Sequence, residues 1–202
     1  MKTKKLVETQ DLMLRSPSLL LYGIIIGISI NFGIQKIVDL NFTYDISLNF
    51  FTFLITAVRF FHGNYIYHEK PRLERPFLFM VNFYFNVAEL IALCMISILI
   101  ADGIKFIYAL FLLSVIDISW VFISVISFKI SQARTFFTWG LLNAMSVVFL
   151  SILIIFDRKA VGTTSLIIFI FYFFITFLDY YICKDYYFAM EKDENTLVSE
   201  TM

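Results

Sequence analysis

Residues 105–128, KFIYALFLLSVIDISWVFISVISF, open on a lysine, hold Asp117 at their centre, and are otherwise apolar apart from scattered serines. At about 1.5 Å per residue, a helix of this length crosses the roughly 30 Å hydrocarbon core of a bilayer. The run lacks the alternation of a barrel strand, and a helix satisfies its own backbone hydrogen bonds in lipid. The stretch therefore reads as a transmembrane helix with a carboxyl group at mid-depth.

Comparable apolar runs lie at about 19–38, 46–66, 77–101, 136–156 and 163–183, separated by short charged connections. The expected fold is all-α: a polytopic membrane protein built as a bundle of about six transmembrane helices. The whole chain agrees, at 60% hydrophobic, 19% aromatic and 16% charged residues with mean hydropathy +0.82. Soluble domains average roughly 45–50% apolar and about 25% charged. The expected division is a basic N-terminal segment (1–18), a six-helix membrane domain (19–183) and a short acidic tail (184–202). This leaves no room for a soluble catalytic or ligand-reading domain. The first run follows Lys2, Lys4, Lys5, Glu8, Asp11 and Arg15 and has no small-residue cleavage site behind it, so it reads as an uncleaved first helix.

Basic residues in short loops concentrate on the cytoplasmic side of a membrane. With both termini cytoplasmic, that side carries Lys2, Lys4, Lys5, Arg15, Lys70, Arg72, Arg75, Lys129, Arg134, Lys184 and Lys192, against Lys36, Lys105, Arg158 and Lys159 opposite. The asymmetry favours an even number of spans, and the compact loops with usage rich in Ile, Phe, Lys and Asn read as prokaryotic, hence a bacterial inner membrane. Tyr180, Tyr181, Tyr186 and Tyr187 suit an interfacial belt at the cytoplasmic face.

Arg59 is the basic residue left inside a span. Charged groups near the bilayer centre cost about 2.5–3.5 kcal/mol each on insertion scales, so they pair or line wet cavities. Judged from flanking charges, Arg59, Glu89 and Asp117 fall at one depth, which predicts an intramembrane cluster in which Glu89 or Asp117 neutralises Arg59. Asn143 and Ser146 extend this cluster as hydrogen-bonding partners, whereas Asp179, close to Lys184, reads as a separate feature nearer the inner surface. The competing reading has span two ending at His62–Asn64 and Arg59 snorkelling to the interface.

The segment HGNYIYHEKPRLERP (62–76) reads as the longest cytoplasmic connection. With the N-terminal segment, it is the expected docking place for a cytoplasmic protein partner, through His62, Asn64, His68, Arg72 and Arg75. His62 and His68 lack the spacing and companions of a metal site, and no phosphate-binding loop, nucleophile elbow or paired-cysteine array occurs. No metal, cofactor or direct nucleic-acid binding is expected. Cys94 and Cys183 fall in apolar runs as free thiols. Gly23 and Gly27 form a G-x-x-x-G pair, suited to close helix packing within or between copies. ITAVRFFHGNYIY in span two and ITFLDYYICKDYY in span six share Ile-Thr, a following charge and two aromatics, with LSVIDISWVF in span four a looser match. Triplication of a helical hairpin and chance both produce this in a chain so rich in Phe and Ile.

These features favour a small homo-oligomeric membrane module, ion-conducting or sensing the state of the membrane, of a kind suited to bacterial stress response or phage defence. The alternative is a proton-coupled transporter of small solutes, with Glu89 or Asp117 exchanging protons. Prolines only at Pro17, Pro71 and Pro76, all near loops, count against the broken helices such transporters use. An intramembrane enzyme lacks its motif, so no catalytic residue is expected.

Overall fold

The computed structural model describes the backbone of residues 2–40, 42–69, 76–127, 133–156 and 162–188, and the side chains of 20–40, 42–66, 80–125, 134–156 and 163–188. It consists of α1 (Lys2–Asp39), α2 (Tyr44–Glu69), α3 (Pro76–Ile98), α4 (Gly103–Ser127), α5 (Ala133–Phe156), α6 (Gly162–Ile182) and the short α7 (Lys184–Tyr187). The first 6 are long and apolar enough to cross a membrane. Among the described residues there is no strand, and the chain is a polytopic α-helical membrane protein.

Packing follows the cyclic order α1, α3, α4, α5, α6, α2, which closes because α2 also lies against α1. With successive spans antiparallel, α2, α4 and α6 run in one direction, toward the end of the bundle that carries α7. The other end is turned after Leu40 and by residues 99–102. There, Asp102 accepts the Lys105 amide at 3.5 Å and its ammonium at 2.6 Å at the start of α4. These hydrogen bonds hold the exposed Asp102 carboxyl below its ordinary value.

Two apolar clusters fill the interior. One, toward the 99–102 end, includes Phe50, Phe53, Leu93, Ile96, Phe106 and Leu110. The other, toward α7, is aromatic and includes Trp120, Phe136, Trp139, Tyr186 and Tyr187. The interior charges lie between them.

α1 is one helix from Lys2 to Asp39, with its membrane-length apolar part beginning at Leu20. Two expectations are corrected. His62, Gly63 and Asn64 do not open a loop, because α2 continues to Glu69. At Gly63 a Cβ would stand in ordinary contact with Tyr187 and Trp139, 3.8 and 3.9 Å away, so this face of α2 lies against both. The tyrosines do not all form an interfacial belt. Tyr181 is exposed, but Tyr186 and Tyr187 are buried, because the chain breaks at Cys183 and turns α7 under the bundle.

Gly23 and Gly27 are exposed, and a Cβ at either would meet nothing within 4 Å, so neither packs against another helix of the same chain. Gly33 does: its Cβ position is 2.7 Å from the Phe50 ring. Gly33→Ala should therefore cost about 1–3 kcal/mol by overpacking. Thermal unfolding of detergent-solubilised monomer should show that loss, while Gly23→Ala and Gly27→Ala leave the midpoint unchanged.

Candidate functional site

Arg59 projects from the middle of α2 toward α6, where its Nε donates to Asp179 Oδ2 at 2.8 Å; the two side chains are 5% and 1% exposed. Burial this complete rules out snorkelling. The ion partner is thus Asp179, rather than Glu89 or Asp117 as the depth argument expects. That argument places Asp179 near the surface because Lys184 follows closely. Instead the turn at Cys183 folds the next residues back over Asp179, so Lys184 does not mark the edge of the interior.

Asp179 is fully engaged. Trp139 Nε1 donates to its Oδ1 at 3.0 Å, and the Tyr187 hydroxyl donates to Oδ2 at 3.1 Å. Burial, reinforced by the Asp179 charge, raises the Tyr187 hydroxyl well above its ordinary value and keeps it a donor. The same causes push the buried Cys183 thiol up to about 12, which leaves it inert.

Glu89 belongs to a second layer. Its Oε2 accepts from the Tyr22 hydroxyl at 2.8 Å and from Asn64 Nδ2 at 3.1 Å. Asn64 is five residues beyond Arg59 on α2, about 7.5 Å farther toward the α7 end. The Asn64 amide also reaches back to the Phe60 carbonyl at 3.2 Å, so Glu89 meets α2 within about a turn of Arg59. Asp117, only partly buried, accepts from Asn143 Nδ2, which also donates to the Trp139 carbonyl at 3.0 Å. Ser146 is buried and donates to the Leu142 carbonyl of its own helix at 3.1 Å.

Arg59, Asp117 and Asp179 nevertheless meet around one cavity of about 30 Å³, with Asn64, Trp120, Trp139 and Tyr187 also in its wall. That is room for one or two waters. Glu89 reaches the cavity wall through Asn64.

The residues expected to dock a partner divide. Asn64 is drawn into the Glu89 layer. His62 bonds the Tyr180 hydroxyl at 2.8 Å through Nδ1 and stacks on Tyr187 with ring centroids 4.9 Å apart. Arg72, Arg75 and the side chain of His68 lie outside the described residues. Among the described residues, no group of 3 or more His, Cys, Asp or Glu side chains is placed to hold a metal ion.

Sequence reading missed Tyr22, Trp139 and Tyr187, whose long side chains reach the carboxyls from elements distant in sequence. It also missed a signal that was present. Asn49, Thr52, Thr56, Arg59 and Gly63 recur at spacings of three and four, which lays a polar stripe along one face of α2.

The molecule is, by class, a six-span helical membrane protein with a buried Arg–Asp ion pair and a hydrogen-bonded carboxyl network at its core. No protein-family model, curated protein or solved structure matches the chain.

Removing one partner of a buried ion pair costs about 3–5 kcal/mol, whereas replacing both by apolar side chains is often close to neutral. Arg59→Met and Asp179→Leu should each destabilise by that amount, and the double variant should recover most of it. Equilibrium unfolding in detergent, analysed as a double-mutant cycle, should give a large coupling for this pair and a smaller one for Arg59→Met with Glu89→Gln.

Proposed function

We propose that this protein is a membrane module that takes up and releases protons or small monovalent cations at its interior carboxyls, and thereby conducts them or responds to the state of the membrane. One observation carries the reading: a single guanidinium serves three interior carboxyls, with Asp117 and Asp179 beside it at one cavity and Glu89 joined to that cavity through Asn64. Asp179 balances Arg59. Glu89 and Asp117 have no cation of their own among the described residues. Two bare carboxylates in so apolar a setting are costly, so electroneutrality asks for two bound protons or cations. Groups whose charge is balanced by an exchangeable species are suited to coupling that species to the state of the protein.

At the interior charges the cavity is only water-sized and the spans are unbroken, which favours this over a transporter that holds an organic solute against those charges. The reading assigns no bond-making chemistry to any residue. In it, the α7 end faces the cytoplasm of a bacterial cell, following the distribution of Lys and Arg. Copies associate through the Gly23 and Gly27 face, which is open to lipid.

Flux into liposomes carrying the purified protein tests the reading. Proton or monovalent-cation flux should be present in wild type and lost in Asp117→Asn and Glu89→Gln while both variants keep their helical content. Flux that persists in both variants would remove the carboxyls from the path.

A further inference from the structure

Asn49 Oδ1, Ser97 Oγ and Thr176 Oγ1 are buried without a hydrogen-bond partner, and the buried Tyr172 hydroxyl has only the Ser114 and Ser146 hydroxyls beside it. Their parent side chains lie on one side of the Arg59–Asp179 pair. Thr176 and Tyr172 precede Asp179 by one and two helical turns, Asn49 precedes Arg59 by ten residues, and Ser97 sits in the last turn of α3 beside the 99–102 turn. Ser124 Oγ, on the α7 side of Asp117, is also unpartnered. An unsatisfied buried hydroxyl or amide costs about 1–3 kcal/mol, and buried waters are the usual remedy.

The helices align these groups. α2 and α6 are parallel neighbours, and Arg59 with Asp179 fixes an offset of 120 residues between them. The same offset sets Thr56 level with Thr176, and Thr52 level with Tyr172. The Tyr172 hydroxyl also lies toward Ser114 of α4 and Ser146 of α5. Those serines stand one turn from Asp117 and Asn143. Both donate to their own backbone, to the Leu110 and Leu142 carbonyls, so their oxygens remain open to accept.

We propose that these groups hold a hydrated file, running from Asn49 and Ser97 through Tyr172 and Thr176, that carries protons between the 99–102 end of the bundle and Asp117. The inference rests on the proton branch of the function proposed above. A proton arriving along the file binds a lone pair of the Tyr172 oxygen as the tyrosine's own hydroxyl proton passes to Ser114. The Ser114 hydroxyl turns off the Leu110 carbonyl and releases its own proton, through water, to Asp117 one turn away. The sum is one proton gained and one carboxylate neutralised. Phe53, Ile96 and Phe106 pack the same half of the bundle and keep bulk water from widening the file.

Titratable groups near Asp117 are Tyr22 from α1, Arg59 from α2, Glu89 from α3, Asp179 from α6 and Tyr187 from α7. Tyr172 of α6 lies on their 99–102 side, beside Ser114 and Ser146.

The test is infrared difference spectroscopy on proteoliposomes sorted for one orientation. It follows the carboxyl band that Asp117→Asn abolishes after a pH jump on either side. In wild type, acid on the 99–102 side should protonate Asp117 faster than acid on the α7 side. Tyr172→Phe removes one oxygen and should slow that response about tenfold or more, and the isosteric Thr176→Val should slow it as well. Unchanged rates in both variants, a faster response from the α7 side, or no wild-type response would each overturn the file. A response that depends on Tyr172 in protein that passes no net flux would uphold the file and sink the conduction reading.

Discussion

The ion pair between Arg59 and Asp179 fixes how α2 and α6 lie against each other. Neither charge can be left alone in an apolar interior, and the bond of 2.8 Å tolerates no slip of a helical turn. Other contacts depend on this register. Asp179 can receive Trp139 only where α5 stands beside the pair, and Tyr187 only if the chain turns back after Cys183. The aromatic cluster at the α7 end is thus assembled around a carboxylate already held by a guanidinium. Such a pair contributes less to stability than to the choice among possible helix packings.

The pair also separates the interior into layers of different character. Toward α7, Glu89 is enclosed by Tyr22 and Asn64, which bond to each other as well as to the carboxyl. At the level of the pair, Asp117 keeps contact with a water-sized cavity and is held by one amide, from Asn143. Asp117 is therefore the interior carboxyl least enclosed by hydrogen bonds.

Much of the fold was legible in the sequence, because apolar length is a strong signal and the α4 run announces it plainly. The interior residues were legible as types, since charges at mid-span have few innocent explanations. Their partners were not. Depth was measured from flanking charges, which treats each helix as ending where charge begins. α2 violates that rule by running through His62, Gly63 and Asn64, and α6 violates it because α7 folds beneath it. Both departures rest on contacts made by Tyr187, a residue whose position the helical period of α6 cannot give once the helix has broken at Cys183.

The likeness among spans two, four and six now has a physical correlate. Thr56 and Arg59, Ser114 and Asp117, and Thr176 and Asp179 each place a hydroxyl three residues before a charge, on three helices that run in the same direction. All three charges line one cavity. Three carboxyls at these positions would repel one another, and three cations would do the same. With one position basic, a fixed positive charge immobilises one carboxylate and leaves the other without a cation among the described residues. In the proposed proton path, the hydroxyls one turn away are the polar atoms that lead to it. The departure from likeness at Arg59 is thus what allows the three positions to share a single small space.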